Sequence, residues 1–338
     1  MAKVTVLMPT YNVATWVKDA IESVLNQTFT DFQLLVMDDH STDGTLDVVR
    51  KINDPRICIV QNEKNVGLSE NLNRGLDLID TEYMARMDGD DIALPQWLQR
   101  EVEYLDEHPE VGVCGGGGQR FGTSQSIIRF PEEHADIAAN MLFGCTTIVP
   151  TVRMEVVRSN NLRYRRDAFP AEDYRFWADC LRVTQLHNIA DVLFRYRMHT
   201  TQICTSRREE QKLKVAEVRR YMLEWLSGDF TEEEKNYHTG AFMAEEISSK
   251  RDYDNRKDFC GRLVVKNRSM HHFDERALRR TLDCHLTLTL YGTIVERYFN
   301  DGYSPAKYLR YLVSGLALRT GCRYETKFLL KSLLGRKA

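Results

Sequence analysis

Over its first hundred residues the chain alternates short apolar runs with amphipathic segments. Val4-Thr5-Val6-Leu7-Met8 reads as a strand closed by Pro9, and Ala14 to Asn26 as a helix with Val17, Ile21, Val24 and Leu25 on one face. Phe32 to Met37, Arg56 to Val60 and Tyr83 to Met87 read as further strands. Between them lie predicted helices at Thr45 to Ile52 and Leu68 to Ile79, and a last one runs from Pro95 to Glu107 with proline at its start. Alternation at this spacing predicts a parallel sheet with helices on both faces. In such sheets ligands gather at the carboxyl ends of the strands. Each predicted strand ends in polar residues: Thr10-Tyr11-Asn12, Asp38-Asp39, Asn62 and Asp88-Gly89-Asp90-Asp91.

From about Val111 to about Thr205 the pattern changes to shorter strands and loops, and from Arg207 onward it is helical, with long amphipathic stretches such as Glu209 to Leu226. Gly115-Gly116-Gly117-Gly118 reads as a flexible or closely packed turn. It lacks the trailing Lys-Ser/Thr of a phosphate-binding loop, so it carries little weight as an anion cradle. The last segment, from Pro305, holds Lys307, Arg310, Arg319, Arg323, Lys327, Lys331, Arg336 and Lys337 against Glu325 alone, interleaved with leucines and aromatics.

Composition narrows the function classes. With 338 residues, 43% hydrophobic and 28% charged, the chain can bury a sizeable core in about two domains. A net charge of -3 gives no global case for nucleic acid, so anion handling must be local. The eight cysteines are scattered singly without a C-x-x-C pair, which argues against structural zinc and a redox dithiol and for reduced thiols in a cytosolic setting. No signal-peptide pattern opens the chain, and no apolar run approaches the roughly 18 residues that span a bilayer. The expected location is cytoplasmic, with a peripheral membrane contact left open.

Chemistry concentrates in Arg86-Met87-Asp88-Gly89-Asp90-Asp91. Three carboxylates within four positions repel one another unless a cation sits among them. Oxygen ligands at a strand end suit Mg²⁺ or Mn²⁺, ions that take further oxygens from a phosphate-bearing substrate. The plain alternative is a solvated acidic turn.

Six motifs together resemble, in order and spacing, those of family 2 glycosyltransferases. They are Met8-Pro9-Thr10-Tyr11-Asn12, Asp38-Asp39-His40-Ser41-Thr42-Asp43-Gly44-Thr45, Asn65-Val66-Gly67-Leu68-Ser69, Asp88-Gly89-Asp90, Glu172-Asp173-Tyr174 with Trp177, and Tyr196-Arg197-Met198-His199 with Gln202. The likeness covers roughly residues 1 to 205. It implies the GT-A (nucleotide-diphospho-sugar transferase) fold, an α/β fold with a Rossmann-like, mostly parallel sheet flanked by helices, followed here by a C-terminal helical region. Residues 1–110 become the nucleotide-sugar-binding half and 111–205 the acceptor-binding half of the same domain; 206–338, which the likeness does not cover, is read as a helical region that associates with a membrane, packs on the catalytic core or forms a dimer.

The resemblance also implies roles. Pro9, Thr10, Tyr11 and Asn12 meet the nucleotide, Tyr11 offering a flat face to the base. Asp39 accepts from the uracil N3–H, Asn65 and Gly67 belong to the third donor loop, and Arg74 points back to the diphosphate or to solvent. Arg86, Asp88 and Gly89 contact the donor, and Asp90 and His199 hold Mn²⁺ or Mg²⁺, the imidazole leaning towards manganese. Asp91 binds metal or caps the next helix, and Asp43 is read as a helix cap. Arg195 and Arg197 bind phosphate or merely decorate a strand. Asp173 matches the family's general base, which inversion by direct displacement requires. Glu172 and Trp177 are expected on the acceptor side, with a core position for Trp177 as its alternative. Val149-Pro150-Thr151 departs from the His-Pro-Thr of many surface-polysaccharide enzymes. The expected activity is an inverting, metal-assisted hexosyl transfer from a UDP-sugar to a glycan hydroxyl, on a lipid-linked acceptor, in lipopolysaccharide, capsule or exopolysaccharide assembly. A nucleotidyltransferase and a catalytically silent sugar-nucleotide-binding or scaffold protein are the alternatives.

Overall fold

A computed structural model describes residues 2–317, 319 and 321–334. Arg336 and Lys337 of the basic tail lie outside the described residues. The chain divides into two compact units, Met1–Arg219 and Arg220–Ala338.

The first unit is built on a nine-stranded sheet. Strands β1 (Val4–Thr10), β2 (Phe32–Asp38), β3 (Ile57–Gln61) and β4 (Tyr83–Arg86) come from the alternating first hundred residues. They are followed by β5 (Ile92–Ala93), β6 (Val111–Gly122), β7 (Ser126–Ile128), β8 (Thr151–Arg153) and β9 (Gln185–Met198). The order across the sheet is β3-β2-β1-β4-β8-β6-β9-β5, with β7 paired to β6. β1 to β4 run parallel to one another, and so do β6 and β9, whereas β8 pairs antiparallel with β4 and β6, β5 with β9 and β7 with β6. The helices beside them are α1 (Val17–Leu25), α2 (Thr45–Arg50), α3 (Leu68–Leu78), α4 (Trp97–Glu107), α5 (His134–Asn140), α6 (Met154–Ser159) and α7 (Glu172–Leu181).

Every residue of β1 is buried, as a central parallel strand covered on both faces must be. On one side Val4, Val6 and Met8 join Leu34 and Val36 of β2 and Val17, Ile21 and Val24 of α1 in a single core. Each such aliphatic side chain contributes ~1.5–3 kcal/mol by leaving water. The strand does not close at Pro9 as expected but runs on to Thr10. β4 pairs with β1 only through Leu7, so the missing proline N–H faces no partner strand there.

The glycine run is a correction. Gly115–118 is no turn; it lies in β6, opposite β9. A Cβ on Gly116 would stand 2.5 Å from Leu193 Cδ1, and one on Gly118 would stand 2.4 Å from Phe194 Cζ. Glycine is used here because β9's side chains press onto the β6 backbone. That packing carries β9 to its end at Met198, beside the acidic loop that follows β4.

The second unit is helical, with the long helices Lys250–Met270 and Glu275–Ile294 followed by Pro305–Leu312 and Cys322–Leu333. Its core gathers Leu286, Leu290, Ile294, Phe299, Tyr311 and Phe328. Arg256 is 2% exposed yet fully engaged, paired with Asp252 at 3.1 Å and donating to the carbonyls of Phe242, Ala244 and Glu246. Among the described residues no helix is long and apolar enough to cross a membrane.

Candidate active site

The loops at the carboxyl ends of β1 to β4 enclose one cavity of about 820 Å³. This is within the range of ~300–1,000 Å³ usual for small-molecule sites. Each loop is held by its own polar bonds. Asp38 accepts from the Ser41 N–H at 3.0 Å and from the Ser41 hydroxyl at 2.6 Å. Asn12 takes the Thr42 N–H at 2.8 Å on its side-chain oxygen. Asp43 accepts from the Thr45 N–H and the Ala14 N–H, both at 2.9 Å, so it fastens the start of α2 to the first loop. Asp39, almost fully buried, accepts from Asn62 Nδ2 and the Val66 N–H on one oxygen and from the Gly67 N–H at 2.9 Å on the other. Gly67 has φ +89°, which a side chain would strain, so the turn that delivers both N–H groups needs glycine. Asp39 thus organises the third loop with one oxygen doubly bonded and the other singly.

The acidic loop is fastened to β9. Ile92 of β5 pairs with Arg195, the Arg197 N–H donates to Asp91 at 2.7 Å, and Arg197 Nε donates to the Asp90 carbonyl at 2.7 Å. Asp91 is therefore a buried tie between loop and strand, neither a helix cap nor a residue facing the cavity. These ties bring His199, just past β9, to Asp90: the Nε2 to Oδ2 distance is 3.0 Å. His199 Nδ1 lies 2.9 Å from Thr201 Oγ1, and Trp16 stacks on the imidazole with ring centroids 4.0 Å apart. Burial raises the pKa of Asp90, and the charge of Asp88 adds to this, while His199 pulls it down. Burial and then Asp90 and Asp88 push Asp91 up well above the ordinary carboxylate range. Gly89 sits tightly, since a Cβ there would meet Thr10 Cγ2 at 3.1 Å. An alanine fits only if that threonine gives way by a few tenths of an ångström.

Fitness for a divalent ion rests on this donor set. A carboxylate and an imidazole touch, the far ring nitrogen has a hydroxyl partner that can fix the tautomer, and excess negative charge surrounds the pair. Among the described residues no group of three or more His, Cys, Asp or Glu forms a cage, so any further ligands must come from water or a diphosphate.

A second polar group adjoins Asp88. Arg86 is mostly buried and donates through Nη2 to Asp88 Oδ1 at 2.7 Å, while its buried Nη1 has no partner among the described residues. Burial opposes the charge on Arg86, but Asp88, Tyr164 and Glu172 together outweigh it and the guanidinium pKa rises. Glu172 and Asp173 open α7 and feel both Arg86 and Asp88. Asp173 is exposed although protein packs densely around it. Burial raises its pKa, and the Tyr174 N–H, donating at 2.6 Å, opposes this. Glu172 is buried, and desolvation together with Asp173 pushes it up to about 8.

That shift has a consequence for stability. Glu172 binds its proton more tightly folded than unfolded, so its contribution is complete below its unfolded pKa near 4.5 and is lost as pH rises towards about 8. Glu172→Gln should flatten the fall in melting temperature across that window; an unchanged slope would remove Glu172 as its source.

Of the residues singled out from sequence, Pro9, Thr10, Tyr11, Asn12, Asp39, Asn65, Asp88, Gly89, Asp90 and His199 all line the cavity. Arg86, Glu172 and Asp173 do not line it but cluster around Asp88. Two expectations are corrected. Trp177 is 2% exposed and packs edge-on against Phe176, a core position that leaves nothing for an acceptor to touch. Arg74 does not itself line the cavity; it donates to Asn62 Oδ1 at 3.0 Å and pairs with Glu70 of the cavity wall. Arg195 and Arg197 lie over the Phe121 ring and do not line the cavity either. Sequence reasoning missed Trp16, Arg166, Phe169 and Arg207 of the cavity wall, the last two in cation–π contact at 5.2 Å. Trp16 had a signal: a large aromatic one position off the buried stripe of its helix.

A family profile described as glycosyl transferase family 2 matches residues 5–159. An uncharacterized glycosyltransferase of Haemophilus influenzae is 33% identical over 233 residues, covering 64% of this chain and 72% of that one. The protein is a family 2 glycosyltransferase. This glycosyltransferase is also 31% identical over 199 residues to the poly(ribitol-phosphate) β-N-acetylglucosaminyltransferase TarP of Staphylococcus aureus, across 56% of this chain and 60% of TarP. Its fold is similar to that of S. aureus TarS residues 1–349 in complex with UDP-GlcNAc, with TM-score 0.58 and 19% identity over 85% of this chain and 90% of that one. The GT-A arrangement expected for the family 2 glycosyltransferase is thus the one observed.

Proposed function

We propose that the chain transfers a sugar from a UDP-sugar to a hydroxyl of a glycan, lipid-linked acceptor in bacterial surface-polysaccharide assembly, inverting the anomeric carbon. The observation that carries this reading is the Asp90–His199 contact inside a cavity walled by Tyr11, Asp39 and Asn65. Tyr11 is 48% exposed on that wall and offers its ring to the base. The less occupied oxygen of Asp39 accepts from the uracil N3–H. Asp90 and His199 would hold a divalent ion, which would neutralise charge on the departing diphosphate. Asp173 takes the acceptor's hydroxyl proton as the new bond from oxygen to the anomeric carbon forms and the bond from that carbon to the diphosphate oxygen breaks. Burial raises its pKa, which makes it a stronger proton acceptor than an exposed aspartate. Arg86 holds Asp88 and adds positive charge beside both acids.

UDP release with a panel of UDP-sugars and Mn²⁺ tests the proposal. UDP-GlcNAc heads the panel, because the TarS complex carries it. Metal-dependent release from at least one donor is expected. Release from none, or equal release with chelator, contradicts the reading.

A further inference from the structure

We propose that the last two helices of the chain form a docking surface for an anionic lipid bilayer, lying in its headgroup layer. Leu329, Leu330, Leu333 and Leu334 recur at i, i+1, i+4 and i+5, and all four are exposed, from 39% to 65%. Helix Pro305–Leu312 adds Leu309, and Val313 just beyond it is 84% exposed. With Leu312, seven of the sixteen exposed large hydrophobic residues among the described residues fall within 309–334. Single exposed apolar residues need no explanation, but a concentration of this kind marks an interaction surface.

The opposite faces of these helices are already committed. Tyr311 and Phe328 are fully buried in the core of the second unit. Glu325, the one acid from Pro305 to the end of the chain, is buried and accepts from the Tyr311 hydroxyl. The charges left exposed on these helices are therefore basic, and of them Lys307 is paired with Asp301 just before the first of the two. Lys327 and Lys331 lie over the rings of Tyr291 and Tyr303, and Arg310 and Arg323 have no ion-pair partner among the described residues.

Charge and residue type choose the occupant. Protein interfaces favour aromatic anchors and shed lysine. Here the aromatics turn inward and leave aliphatic side chains ringed by Lys and Arg, which complements anionic headgroups above acyl chains. A helix of 12 residues spans ~18 Å, too short to cross a bilayer and suited to lying along one.

Flotation of the full chain with phosphatidylcholine vesicles, and with vesicles of equal parts phosphatidylcholine and phosphatidylglycerol, tests this. The wild type is expected to float with the anionic vesicles and to lose that association in high salt. Leu330→Glu with Leu333→Glu should cut the floated fraction about tenfold or more. Arg310→Gln with Arg323→Gln should erase the preference for phosphatidylglycerol. Far-ultraviolet dichroism and UDP release should stay at wild-type values in both. No flotation of the wild type, or equal flotation of the leucine variant, overturns the proposal. So does a wild-type dimer that the leucine variant splits, because the face would then join two copies of the chain. The readout needs neither donor nor acceptor, so its failure leaves the proposed transfer untouched.

Discussion

Asp173→Asn should lower transfer ~10²- to 10⁴-fold while UDP-sugar affinity stays at the wild-type value. The variant keeps nearly the same shape, and its side-chain oxygen can still accept the Tyr174 N–H that Asp173 accepts at 2.6 Å. The start of α7 is thereby preserved, and only the proton acceptor is lost. Asp173 does not line the donor cavity, which is why binding should survive. An acid serving only the helix dipole at the start of α7 would give a different result, with slightly reduced stability and turnover intact. Single-turnover transfer beside calorimetric donor binding separates the two; full transfer by the variant would remove the proposed base.

Asp90→Ala should abolish the dependence of donor affinity on Mn²⁺ and lower turnover by on the order of 10²- to 10³-fold, the scale of losing one electrostatic contact to a developing anion. The substitution leaves the loop's main-chain tie in place, since Arg197 holds the Asp90 carbonyl and not its carboxylate. It removes one of two mutually touching donors and leaves His199 to Thr201 and Trp16. His199→Ala should act in the same direction and more weakly, because a carboxylate carries the charge and an imidazole does not. Manganese titrations of UDP binding check both. Unchanged metal dependence in Asp90→Ala would place the ion elsewhere.

Much of the parallel half was legible in the sequence because its signals are local. Apolar runs of strand length, amphipathic helices between them and polar residues at each strand's end place β1 to β4 and the loops around the cavity within a residue or two. What escaped depends on partners distant in the chain. The four glycines look like a turn until β9, some seventy residues later, is packed against them. Sequence reasoning expects Trp177 beside the acceptor and does not single out Trp16, yet the first is buried with Phe176 and the second, at the start of its helix, meets His199. Arg74 lies one helix turn from Glu70, and the structure pairs the two locally. Asp91 looked like a third metal acid, and it became a tie because β9 brings the Arg197 N–H to it.

Anomalous scattering at the manganese edge, from crystals grown with UDP and Mn²⁺, tests the central claim most directly. A peak within coordination distance of both the Asp90 carboxylate and His199 Nε2 is predicted. A peak bound elsewhere, or UDP ordered in the cavity without any metal signal, would contradict the account.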